Sequence, residues 1–457
     1  MSSKKIYHKG IWMVGLIIIG LTNSCKKMVE VKPVGSIPTS VAYSTEANIA
    51  ASVNGIYYTL QQQGTIYNSS YNSIFPLLSD EASIGNTSTV QYLQFGNSNI
   101  TSDNYLISGF WSNCYATIYQ ANLLLENVSG NTGINATNKN QWLGEARFLR
   151  AYSYFILTQY FGKVPLATTS DYKTNNSLAR SDTATINKFI ISELEAAATL
   201  LPDGYSAYNN NRTRACKQTA QALLAREYLY RGDWAKAEAN ATLLINNSTF
   251  SLPGDLNNAL VSNSVESIWE IAFSQKNQNY TAYNLVPFGP YAPPVVPSTK
   301  LVNAFETGDK RKDVYLEPIP ADPSFYIMYK WHDQTNLADQ PKILRLSEMY
   351  LIRAEARLNQ NNLSGAAQDI NTIRNRAGLA NTTATTQANL MSAVMQERFV
   401  ELCFEGDRWL DLIRTGQANI VLSAFKGSSW KSSDQLLPIP ATEIGNNPNL
   451  GPQNPGY

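Results

Sequence analysis

Apolar residues recur at helical spacing along most of the chain. Ile49, Val53, Ile56, Tyr57 and Leu60 predict a helix from Thr45 to about Gln62, with Thr45 as its N-cap. The same period predicts helices over Phe110–Val128 and Lys139–Tyr160. Gly162 and Pro165 stop the second of these, so the two read as a helical hairpin. A helix at about Thr185–Leu200 follows, then a pair over Lys217–Tyr230 and Trp234–Asn246 joined at Gly232-Asp233. The clearest hairpin runs from Leu346 to Arg374. Tyr350, Ala354 and Leu358 line its first half, and Leu363, Ala366, Ala367, Ile370 and Ile373 its second. A last pair is predicted over Gln387–Cys403 and Asp407–Arg414.

Two of these hairpins are related by a constant offset of 129 residues. Ala225 then falls on Ala354, Leu229 on Leu358, Gly232 on Asn361, Ala237 on Ala366 and Leu244 on Ile373. A small and a large residue on the first helix, a turn, and an Ala on the second resemble a tetratricopeptide unit. A hairpin of this kind buries its apolar stripe only against neighbours. The expected fold is therefore mostly α. Four tetratricopeptide-like helix pairs form a scaffold, with irregular, loop-rich ligand-binding insertions and a few short strands.

Helical period lapses in two long blocks. Residues 64–106 are rich in Gly, Asn, Ser and Thr, with Tyr67, Tyr71, Tyr92, Phe95 and Tyr105 among them. Residues 250–342 hold one strand-like run, Val265–Ser274, and then Pro, Gly and aromatic residues through Tyr291 to Trp331-His332-Asp333. Long polar blocks carrying aromatics read as functional loops or inserted surfaces. The tail from Leu436 to Tyr457 reads as extended.

Composition adds an address. Lys4, Lys5 and Lys9 precede an apolar run, Ile11–Leu21, too short to span a bilayer. Ser24 and Cys25 follow, the form of a bacterial lipoprotein signal. Residues 1–24 are expected to be removed, Cys25 to take the lipid, and residues 25–40 to act as a tether. The formal charge then falls from +1 to −2, which argues against nucleic acid as a partner. Membrane attachment is expected through lipid, not through a spanning helix. Cys114, Cys216 and Cys403 are dispersed and read as buried free thiols.

No cofactor or metal is expected. His332 is the only histidine after the leader, and no phosphate-binding or dinucleotide motif occurs. Asp80 with Glu81 is a candidate carboxylate pair for glycoside hydrolysis, but adjacent residues do not readily face one pocket. Glu397, Glu401, Glu405, Asp407 and Asp411 lie among Arg398, Arg408 and Arg414 and read as a packed ion network, with Arg408 pairing Glu405 and Asp411 at i,i+3. Binding remains. Sugars offer apolar ring faces and hydroxyls, which suit the aromatic, Asn-rich blocks, and peptides suit them too. An adaptor that binds only protein is the alternative from another class.

The run Met395–Gly416, reading MQERFVELCFEGDRWLDLIRTG, resembles the signature of the SusD/RagB-type nutrient-binding lipoproteins of Bacteroidota. Glu145–Phe155, Tyr160–Pro165, Asp309–Arg311, Leu437–Pro440 and Asn447–Leu450 agree with it in order. The resemblance implies an outer-membrane protein, not an enzyme, that binds an oligosaccharide, or in some branches a peptide. It implies delivery to a SusC-like TonB-dependent transporter, with the helical side toward that transporter and the loops toward ligand. One SusD-like unit over residues 41–457 is expected, with insertions at about 64–106 and 250–342. Lys26-Lys27 stand where acidic residues often follow the Cys in surface members. Trp331 lies roughly where glycan-binding members place a stacking aromatic. Asp80, Tyr92, Asn284 and Tyr291 are further ligand candidates from loop position and chemistry.

Overall fold

In the computed structural model, residues 37–62, 66–289, 291–319 and 322–457 are described. The leader, Cys25 and most of the tether lie outside them. No helix among the described residues is long and apolar enough to cross a membrane.

The main helices are α1 (Glu46–Thr59), α2 (Tyr105–Val128), α3 (Ala136–Phe161), α4 (Thr183–Leu200) and α5 (Lys217–Arg231). They continue as α6 (Trp234–Ile245), α7 (Leu346–Asn359), α8 (Leu363–Arg376), α9 (Gln387–Glu401) and α10 (Asp407–Arg414). Side-chain caps set several starts. The Thr45 hydroxyl accepts the Asn48 N–H, as expected for an N-cap. The Asn104 side chain accepts the Leu106 N–H at 2.9 Å, so α2 begins earlier than its apolar period alone suggests.

From α2 to α8, each helix packs on the next in sequence, and α1 packs on both α2 and α3. This differs from the expected pairing. α3 lies between α2 and α4 and makes its broadest contact with α4, so Thr183–Leu200 is part of the ladder and not a spacer. α9 packs chiefly on α7 and α8, and α10 touches it only slightly. α7 is buried nearly all round, because α6, α8 and α9 surround it. Its single predicted stripe is therefore too narrow, and Tyr350 is only half-buried. The charged residues of α7 are paired: Arg353 with Asp369 at 2.7 Å, and Glu348 with Arg226 at 2.6 Å.

The offset repeat is physical. Ala225, Leu229, Ala237 and Leu244 are buried, and so are Ala354, Leu358, Ala366 and Ile373. Gly232 and Asn361 occupy the same turn position, with φ of +72° and +61°. Glycine enters this left-handed region without cost, and asparagine does so more readily than other residues. In each turn the next N–H returns to a carbonyl in the last turn of the preceding helix: Asp233 to Tyr228 at 3.0 Å, Asn362 to Arg357 at 2.8 Å. Asp233 and Asn362 then cap the second helix by accepting the N–H groups of Lys236 and Gly365.

The longer strands are β1 (Ala82–Ile84), β2 (Ser267–Glu270), β3 (Val295–Pro297), β4 (Leu316–Ile319), β5 (Asp322–Met328) and β6 (Lys342–Arg345). They form antiparallel pairs β1–β3, β2–β6 and β4–β5. β2–β6 closes the second insertion onto the scaffold, and α7 follows β6 directly. β2 is buried on both faces, which explains its imperfect alternation. Trp269 meets Phe148 and Tyr152 edge-on, at centroid distances of 4.9 and 4.8 Å. The C-terminal tail is not wholly extended, since Ala441–Asn446 is helical. The tail is tied to the end of α3 by the Leu437 N–H to the Tyr160 carbonyl at 2.7 Å and by the Asn454 amide to the Phe161 carbonyl at 2.9 Å.

Candidate ligand-binding face

The two irregular blocks meet. β1 comes from the first and β3 from the second, with Ala82 opposite Pro297 and Ile84 opposite Val295. Beyond the strands, the Gly85 and Asn86 N–H groups donate to the Pro294 and Pro293 carbonyls at 2.9 and 3.0 Å. Gly85 is required there, because a Cβ would sit 2.1 Å from the Pro293 oxygen. Two asparagines make further joints. The Asn68 amide donates to the Gln278 carbonyl at 2.9 Å and its oxygen accepts the Tyr280 N–H at 3.1 Å. The Asn284 amide donates to the Ser69 carbonyl at 2.8 Å and the Ser73 hydroxyl at 3.1 Å.

Asn284 is thus a positioning residue, buried and with its amide committed. Its oxygen accepts the Tyr92 hydroxyl at 3.3 Å, which fixes the half-buried Tyr92 ring on the Val90–Gly96 helix. Burial and the nearby Tyr105 push the Tyr92 phenol pKa up, although the Asn284 bond opposes this.

Asp80 does not meet solvent. It is fully buried, held by Arg408 at 2.7 and 2.9 Å and by Lys300 at 2.7 Å. Burial alone would raise its pKa, but the Arg408 and Lys300 hydrogen bonds and charges outweigh burial and hold it below the usual carboxylate value. Glu81 beside it is also buried, accepting the Phe404 N–H at 3.0 Å. Burial, reinforced by the Asp80 charge, pushes its carboxyl up to about 8. The pair anchors the first block to α10, through Arg408, and to the loop before it, through Phe404. This corrects two expectations: Asp80 offers no carboxylate to a ligand, and Arg408 pairs with Asp80 in place of Glu405 and Asp411. Glu405 is held by Lys330 and Arg345, each at 2.6 Å, and Asp411 by Arg398 at 2.6 Å and Arg414 at 2.8 Å. The ion network is otherwise as the charge pattern indicates. Cys114, Cys216 and Cys403 are buried and free.

Trp331 is likewise interior, only 3% exposed, behind the buried Lys330. The neighbouring rings are the accessible ones. His332 is exposed and stacks on Tyr329 with centroids 3.8 Å apart and planes 5° apart. Phe325 is exposed on β5, and Lys312 lies over the Tyr326 ring at 5.3 Å. Tyr291, predicted from the sequence, is 67% exposed, and Phe288 is 85% exposed. Tyr283 is also exposed and stacks on Tyr280 at 5.8 Å. The β4–β5 hairpin packs on β3, and the Gln334 amide donates to the Val286 carbonyl at 3.1 Å. The described parts of residues 280–297 and 316–334 are therefore joined in one loop region. Phe288, Tyr283, Tyr329 and Phe325 were not singled out by sequence reasoning, because aromatic identity carries no record of exposure. The Pro-Gly setting of Phe288 was the one available signal.

Comparison with known proteins fits this architecture. The SusD family profile matches residues 324–457, and a profile described as "Starch-binding associating with outer membrane" matches residues 27–229. SusD-like protein P2 of Formosa agariphila is 27% identical over 98% of this chain and 99% of its own length. Starch-binding protein SusD of Bacteroides thetaiotaomicron is 38% identical, over 25% of this chain and 21% of its own. A solved laminarin-binding SusD-like protein superposes with a TM-score of 0.80 at 24% identity, covering 90% of this chain and 99% of that one. The two profiles, the relatives and the shared fold together support a SusD-type protein. The profile over residues 27–229 is described as starch-binding and as associating with the outer membrane, and the Bacteroides relative is named starch-binding.

Proposed function

We propose that this chain captures a glycan at the loop face formed by residues 280–291 and 316–332, with Tyr92 at its border. The observation that carries the reading is the set of solvent-facing rings, Tyr283, Phe288, Tyr291 and Phe325, with exposed His332 stacked on the half-buried Tyr329, on a region pinned by β1–β3 and Asn284. Exposed aromatic faces supply apolar area for sugar rings while the surrounding amides and hydroxyls meet sugar hydroxyls. The starch-binding description of the matching profile and the name of the Bacteroides relative support this choice.

The chain acts by binding and not by catalysis. Cys25 carries a lipid that holds one SusD-like unit, residues 41–457, on the outer membrane and at the cell surface. The helical side faces a SusC-like TonB-dependent transporter, which takes the glycan onward. Affinity electrophoresis of the mature chain in gels containing starch, laminarin or other neutral polysaccharides tests the central part. Retardation by at least one of them is expected. Retardation by none, with calorimetric binding of oligopeptides, would transfer the face to peptides. Co-purification of the transporter after mild detergent extraction tests the partner.

A further inference from the structure

A second cleft lies away from the loop face. One wall is a single face of α2, where Trp111, Tyr115, Tyr119 and Asn122 recur at helical spacing. The other walls are residues 165–178 and the C-terminal segment 443–450, and the space between is about 620 Å³. That volume lies in the range of pockets for small ligands.

The cleft is built from tied elements. The Tyr115 hydroxyl donates to the Pro165 carbonyl at 2.8 Å. The Asn447 and Asn449 amides donate to the Leu178 and Ser177 carbonyls at 2.8 and 2.9 Å, fastening the tail to the middle wall. The floor is aromatic, with Trp111 and Tyr115 centroids 5.0 Å apart. Tyr119 and Tyr172 are 48% and 65% exposed at its sides.

Its polar groups are not all spent. Asn122 is fully committed, to the Ala167 and Thr169 carbonyls and to Arg150. The Asn175 amide donates to the Thr169 carbonyl at 2.7 Å, but its buried oxygen has no partner. Asn176 and Asn446 are exposed, and their side chains make no hydrogen bond among the described residues. Glu443 adds one carboxylate, and no lysine, arginine or histidine lines the space. Ring faces combined with free amide groups and an acceptor carboxylate suit polyhydroxylated, uncharged ligands. A sulfated or uronic sugar would find no cation to meet it.

We propose that this cleft is a second carbohydrate subsite, taking a neutral sugar chain separately from the loop face. The proposal rests on the reading of the chain as glycan-binding. Calorimetric titration with maltohexaose and laminarihexaose tests it, using three variants of the mature chain. These are Tyr119→Ala/Tyr172→Ala in the cleft, Phe288→Ala/Tyr291→Ala on the loop face, and the combination. All four side chains are solvent-exposed, so folding should survive, and circular dichroism melting checks this.

For a bound hexasaccharide, two equivalents are expected on the wild type, one on each double variant, and none on the combination. The double variants should each lose affinity by about tenfold or more at the altered site. Unchanged stoichiometry and affinity in Tyr119→Ala/Tyr172→Ala would overturn the cleft proposal and leave the loop face standing. One equivalent lost only in the cleft variant would overturn the loop face and support the cleft. Failure of the wild type to bind either oligosaccharide, with binding of a sulfated or uronic one instead, would overturn the neutral-sugar assignment.

Discussion

Trp331 and Tyr291 are both loop aromatics, yet one is 3% exposed and the other 67%. Exposure assigns them different work. Trp331→Ala should cost about 3–5 kcal/mol of stability by leaving a cavity, measured by urea unfolding. Loss of glycan binding without that cost would return Trp331 to the binding face. Glu81 makes a pH-dependent contribution. Its carboxyl is pushed from 4.5 up to about 8 by burial. The folded chain therefore keeps a proton that the unfolded chain releases between those values. The stabilisation is complete below the lower value and is lost as pH rises through the upper one. Glu81→Gln has no carboxyl to titrate, so its stability relative to wild type should rise between pH 5 and pH 9. A constant difference across that range would show that Glu81 is not held neutral.

At the scale of elements, the joint between the two irregular blocks holds the proposed binding face together. Gly85→Ala would force a Cβ into the Pro293 carbonyl and separate β1 from β3. Lower melting temperature and weaker glycan affinity are expected together, read by calorimetry on the same preparation. Unchanged affinity would show that the joint does not position the rings. The helices were legible because apolar spacing reports burial directly, and the 129-residue repeat placed Gly232 and Asn361 at the same turn position, where the structure shows both left-handed. The pairing of α3 with α4 was not legible, since α3 is apolar on two sides and its spacing does not choose between neighbours. The proposed binding face falls within the blocks read from sequence, but, Tyr291 apart, its exposed rings were not legible by residue. Tyr291 reads through from sequence to surface. Asp80 and Asn284 have the chemistry of ligand contacts but spend it on Arg408, Lys300, Ser69 and Ser73. Those partners lie far away in sequence, and nothing in local pattern announces them.

Over the whole molecule, a helical ladder fixes a frame, and two insertions fold together on it to present aromatic rings. A buried ion network joins frame and insertions. Arg345 contacts Glu266, Glu401 and Glu405, and Arg311 contacts Asp309, Glu397 and Glu401. Removing one member of such a buried set leaves an uncompensated charge, so the frame should be intolerant of single changes there. The exposed rings carry no such burden. The division of labour is tested most directly by affinity electrophoresis of wild type and Phe288→Ala/Tyr291→Ala in a neutral polysaccharide that retards the wild type. The account predicts that the variant loses at least about tenfold in affinity while its melting temperature is unchanged. Equal retardation of the two proteins would contradict it.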